Sequence, residues 1–129
     1  MTLSLCLLYF YQLTGQDKCP VTIVFQAKNV SGEMNGKEGS IELDNSIIIY
    51  RQESNEIKIC CSVDDVYKIT YEFDKVIDPK AKTTTFKYLC LNQNGITFHV
   101  YILLGEDGHM VMIEDVKKGT KLYYQVDML

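Results

Sequence analysis

The sequence predicts an all-β protein, an antiparallel β-sandwich of about eight strands, with a small up-and-down β-barrel as the alternative. Three observations carry this. Apolar and polar residues alternate with period two through most of the chain after residue 20. Nine Tyr, five Phe and many Ile, Val and Thr, with only two Pro, suit a pleated, half-buried backbone. Asn, Asp and Gly turn signals separate the alternating runs, and no regular βα alternation points to a parallel sheet.

The elements follow in chain order. Val21, Ile23, Phe25 and Ala27 share one face of a first strand, opposite Thr22, Gln26 and Lys28. Asn29–Gly39 is rich in Gly, Asn and charge and reads as a loop. Ser40–Leu43 and Ser46–Arg51 read as strands split by a turn at Asp44-Asn45. The triplet Ile47-Ile48-Ile49 suggests cover on both faces. Asn55–Val63 is a strand holding Cys60 and Cys61, and Asp64-Asp65 turns it into Val66–Asp74. There Tyr67, Ile69, Tyr71 and Phe73 are expected on one face, with Val66, Lys68, Thr70 and Glu72 on the other.

Val76–Lys82 reads as a connection. Thr83–Leu91 and Ile96–Leu104 flank Asn92-Gln93-Asn94-Gly95, and Asn-Gly between alternating runs is a strong hairpin signal. Ile96, Phe98, Val100, Ile102 and Leu104 form one apolar face. Gly105–Gly108 turns into His109–Ile113, Glu114–Gly119 is a polar helical-turn candidate, and Lys121–Asp127 is a last strand with Leu122, Tyr124 and Val126 inward.

A chain of 129 residues fits one domain, and an apolar content of 47% supports a core. The net charge of −4 is spread along the chain without a basic run, so a nucleic-acid partner is not expected. Residues 2–13 are mostly apolar and too short for a membrane helix, which needs roughly 20 residues. Their length is that of a signal-peptide core. Residues 1–15 are therefore read as a signal peptide and 16–129 as the domain, with no membrane span in the mature chain and a secreted or extracellular location. A cytoplasmic protein is the alternative.

Of the five cysteines, Cys6 falls in that leader, leaving Cys19, Cys60, Cys61 and Cys90. An even set suits two disulfides in an oxidising compartment. Strand parity turns Cys61 and Cys90 inward and Cys60 outward, which ranks Cys61–Cys90 and Cys19–Cys60 first among the three connectivities. Closing the loop from Cys61 to Cys90 would stabilise by about 3.5 kcal/mol in the chain-entropy model. Asn29-Val30-Ser31 is a glycosylation sequon, placing a candidate glycan at Asn29.

No catalytic motif stands out. His99 alternates outward beside Thr97 and Tyr101, and His109 follows a turn. No Cys or His spacing makes a zinc site, and Gly105–Gly108 opens no helix that would cradle a phosphate. An enzyme, a metal and a cofactor are not expected. Tyr50, Tyr101 and Tyr123 are candidates for a recognition surface, since Tyr combines a rigid apolar ring with a polar tip.

Val66–Tyr71 resembles the third strand of extracellular fibronectin type III and immunoglobulin sandwiches, and Leu91 to Tyr101 resembles their corner and following strand. The resemblance covers about a third of the chain and implies a secreted sandwich module. The core Trp of those modules is missing, and Cys61 and Cys90 lie close for an inter-sheet pair. Lipocalin barrels rival by shape, without their Gly-x-Trp motif here. The expectation is a secreted or cell-surface module binding a protein partner without catalysis. The alternatives are a small secreted barrel carrying an apolar ligand and an intracellular pleckstrin-like adaptor. A carrier would keep a cavity of roughly several hundred Å³, where a sandwich fills its core.

Overall fold

Nine strands form one antiparallel sheet in the computed structural model, which describes residues 20–34, 36–61 and 64–129. They are β1 (Thr22–Met34), β2 (Lys37–Arg51), β3 (Glu56–Cys60), β4 (Asp64–Glu72), β5 (Val76–Asp78), β6 (Thr83–Asn92), β7 (Thr97–Gly105), β8 (Gly108–Asp115) and β9 (Lys121–Met128). Neighbours in sequence are neighbours in the sheet from β1 to β4 and from β6 to β9. Two further pairings, β4 with β6 and β9 with β1, close the sheet on itself. The result is an eight-stranded up-and-down barrel. The short β5 shares one edge of β6 with β4, beside Thr83–Thr85.

The protein is all-β, and of the two architectures the sequence admits, the barrel is the one that forms. A meander of hairpins with one apolar face per strand buries that face by curling, and closure also removes the sheet edges. The immunoglobulin-like sandwich does not form. The stretches that resemble it, Val66–Tyr71 in β4 and the β6–β7 hairpin, lie in one closed sheet rather than in two facing ones.

Alternation fills the interior. Phe25, Ile48, Val100 and Val111 have no exposed surface and form its middle layer. Toward one end lie Tyr67, Cys90, Ile113 and Tyr124, each 9% exposed or less. The β6–β7 hairpin turns as expected, with Asn92 Oδ1 accepting from the backbone N–H of Asn94 and Ile96 at 2.9 Å each.

Bulges account for the departures from simple alternation. Register shifts between Ala27 and Asn29, opposite Leu43–Asn45, so Ala27 and then Val30 point inward. Asn45 takes a φ of 59° there, so Asp44-Asn45 is a bulge in a continuous β2 and not a hairpin turn. Nor is Asn29–Gly39 a loop, since β1 and β2 stay paired out to Met34 and Lys37, with Asn29–Gly32 also paired to β9 and the remainder running on as an arm beyond the barrel. Ile48 is buried while Ile47 and Ile49 are half-buried, so that triplet is fully covered on one face only.

A second shift, between Ile69 and Tyr71, turns Tyr71 outward to 57% exposure, where Tyr67 and Ile69 remain inside. Ile96 lies outside β7 and is 43% exposed. The polar segment after β8 is one turn, closed by Gly119 N–H donating to the Asp115 carbonyl at 2.7 Å. The leader at residues 1–15 lies outside the described residues.

Candidate functional site

One end of the barrel holds an apolar cup. Tyr50, Tyr88 and Ile102, at 9%, 4% and 3% exposure, form its floor above the Phe25 and Ile48 layer. Ile23, Phe86 and Leu104 are partly buried walls, and Val21, Gln52 and Glu72 stand exposed at the rim. The cup has a volume of about 240 Å³. Eight strands leave room for side chains to fill a barrel or for one small ligand. Here the buried Phe25, Ile48, Val100 and Val111 occupy the middle, and the cup lies at the mouth.

The geometry of the lining follows from local structure. Gln52 begins the β2–β3 turn and ties the rim to the chain entering β1: its backbone N–H donates to the Val21 carbonyl, and its Oε1 accepts from the Val21 N–H, each at 2.9 Å. Tyr50 and Tyr88 stack with ring centres 5.6 Å apart and planes 28° off parallel. Burial pushes both hydroxyls above the usual phenol range. The β4 bulge aims Glu72 at this mouth. Thr70 sits at the shift, its Oγ1 donating to the Leu89 carbonyl at 3.0 Å, and Glu72 then pairs with Tyr88 in register. Bulges commonly re-aim a side chain in this way.

The three tyrosines singled out from the sequence part company. Tyr50 is 9% exposed inside the barrel and belongs to no outer surface, because it shares its parity with the buried Ile48. Tyr101 and Tyr123 do come together outside, both in register with Met112, which lies between them. Next to them Lys87 Nζ lies 5.4 Å from the Tyr101 ring centre and 4.6 Å from that of Phe73. His99 joins this outer cluster, its Nδ1 3.3 Å from Glu114 Oε1 and its ring 5.8 Å from Phe73. His109 Nδ1 accepts from the Gly105 N–H at 3.2 Å. Neither histidine touches a cysteine or a hydroxyl nucleophile in these contacts. Asn29 lies on β1 rather than in a loop, its side-chain amide donating to Gln125 Oε1 at 2.9 Å.

Cys60, Cys61 and Cys90 are free thiols, so the expected Cys61–Cys90 bridge is not formed. Register explains it. Cys60 pairs with Asp64, whereas Cys90 pairs with Ile69, five residues further along β4. That offset is about 16 Å along the strand, against a Cα separation of roughly 7 Å at most for a disulfide. Cys90 has no exposed surface, and burial pushes its thiol up to about 12, so it serves as a small core hydrophobe. The Cys19–Cys60 pairing involves a residue outside the described ones.

Among the described residues, no group of three or more His, Cys, Asp or Glu side chains could hold a metal ion. No helix among them is long and apolar enough to cross a membrane. Comparison of the chain with protein-family models, with curated proteins and with solved structures finds no match.

Proposed function

We propose that this protein is a small-ligand carrier that holds one compact, largely apolar molecule in the cup at the barrel mouth. The observation that carries the reading is an apolar cup of about 240 Å³ over the buried floor of Tyr50, Tyr88 and Ile102. An engineered apolar cavity of about 150 Å³ takes up benzene, so this one suits a single ring with a short chain. Pockets for drug-sized ligands run from roughly 300 to 1,000 Å³. Burying about 150 Å² of ligand surface would yield about 4 kcal/mol at the usual area coefficient, equivalent to a Kd near ~1 mM before other costs. Useful affinity therefore needs polar contacts at the rim as well. Export belongs to the same proposal, motivated by the leader-like run at residues 2–13.

The test uses Leu104→Trp. The chain has no Trp, so the new indole both fills the mouth and reports on it. The expected result is saturable binding of 2-phenylethanol to the wild-type protein and a loss of tenfold or more in the variant, with blue-shifted indole emission. Equal binding by both proteins would refute the cup as the site.

A second reading has its own observation. Tyr101, Met112 and Tyr123 align across three strands on the outer wall, each half-buried. Tyr and Met are enriched in protein interfaces, which supports this face as a docking surface for a protein partner.

A further inference from the structure

Resting on the reading of the cup as a ligand site, we propose that its ligands carry an ammonium group, held by the Glu72 carboxylate at the rim against the Phe86 and Tyr88 rings. Glu72 is the one charged side chain lining the cup, and the others are apolar, aromatic or neutral. Among the described residues, no Lys, Arg or His nitrogen lies within 4.0 Å of its carboxylate, although five ion pairs form elsewhere. Its negative charge is close enough to the floor to help raise both the Tyr50 and Tyr88 hydroxyls.

The position of Glu72 is a product of the fold. Without the shift between Ile69 and Tyr71, alternation would turn Tyr71 toward the interior and Glu72 away from it. The bulge exchanges them and puts a carboxylate where an aromatic would have closed the mouth. The stacked Tyr50–Tyr88 pair adds aromatic faces, whose electron-rich surfaces attract cations.

The ligand class is thus a small organic amine, protonated at neutral pH, on a single ring or short branched chain. A carboxylate-bearing analogue meets repulsion from Glu72, and no cation lines the cup to offset it.

The experiment compares phenethylammonium, 2-phenylethanol and 3-phenylpropionate by calorimetry at low ionic strength. The proteins are the wild type, Glu72→Gln and Leu104→Trp. Glu72 is exposed, so its replacement leaves the fold intact, which circular dichroism checks. The amine is expected to bind at least tenfold tighter than the alcohol, equivalent to about 1.4 kcal/mol, and the propionate weakest. Glu72→Gln is expected to abolish the preference, bringing the amine's affinity to within about twofold of the alcohol's in the same variant. Equal wild-type affinities for amine and alcohol, both blocked by Leu104→Trp, would overturn the ammonium inference and leave the cup standing. Binding of none of the three would overturn the cup reading, and the inference with it.

Discussion

Replacing Gly32 with Ala should open the barrel at its seam. Gly32 pairs with Leu122 at the end of the β1–β9 ladder, which closes the sheet. Its φ is +131°, and a Cβ built there would run into the Lys121 carbonyl oxygen. An L residue at such a φ costs about 1–3 kcal/mol. The carbonyl belongs to backbone and cannot rotate away, so β9 must shift, at a further cost of about 1 kcal/mol for a weakened ladder bond. Alanine also restricts the unfolded chain, which returns roughly 0.4–1 kcal/mol. The net loss is about 1–3.6 kcal/mol. With a urea slope of ~1.5 kcal/mol/M, the unfolding midpoint falls by about 0.7–2.4 M. Gly36→Ala is the control, since Gly36 also has a positive φ, +81°, but nothing within 4 Å of its Cβ position. A φ of +81° lies nearer the left-handed well than +131°, so the strain sits at the low end, about 1 kcal/mol, and the unfolded-state gain offsets most of it, leaving a change under about 1 kcal/mol. Equal midpoints for the two variants would refute the close approach of β1 and β9 at the seam.

Stability should fall at alkaline pH. Burial raises Cys90 from 9.0 to about 12 and Tyr124 from 10.0 to about 12, with Tyr67, Tyr88 and Tyr50 raised as well. The folded state keeps protons that the unfolded chain releases, so this stability is complete below pH 9 and is lost as the pH rises toward 12. Urea midpoints from pH 7 to 11 check the sign; a midpoint that rises above pH 9 contradicts it. Alkylation of the native protein followed by peptide mapping should label the half-exposed Cys60 and Cys61 readily and spare Cys90 until denaturant is added. A Cys61–Cys90 peptide under non-reducing conditions would contradict the β4–β6 register. Replacing Tyr101 and Tyr123 together with Ser should leave binding of 2-phenylethanol unchanged, because both lie on the outer wall; a tenfold loss would place the ligand site outside the cup.

Most of the architecture is legible in the sequence, because a half-buried strand writes its two faces into alternate residues. The inner rows Phe86–Tyr88–Cys90, Phe98–Val100–Ile102–Leu104 and Leu122–Tyr124–Val126 can all be read directly. What alternation cannot convey is a change of parity. Nothing about Lys28 or Thr70 as residue types marks the bulges beside them, yet the second bulge sends Tyr71 out and Glu72 to the mouth. That is why the carboxylate at the rim escapes a reading based on period two. Tyr50 is misplaced for a related reason: three successive Ile residues, 47 to 49, hide which parity is inner. The stretch Asn29–Gly39 reads as loop because its charge and Gly content suit solvent. The structure exposes Glu33 and residues 36–39 while keeping the ladder intact and the Asn29–Gly32 part paired in the barrel. Barrel and sandwich share the same strand-level pattern, and only the β4–β6 and β9–β1 pairings tell them apart.

Carrier and docking module differ in where a small apolar molecule settles. Methyl-labelled NMR separates the two directly, because Ile23, Ile102 and Leu104 line the cup while Leu103, Met110 and Met112 are outside it. In a titration with 2-phenylethanol, the account predicts saturable shifts at Ile23, Ile102 and Leu104 with Leu103, Met110 and Met112 unmoved. Shifts confined to Leu103, Met110 and Met112, or no saturable shift at any methyl, would contradict it.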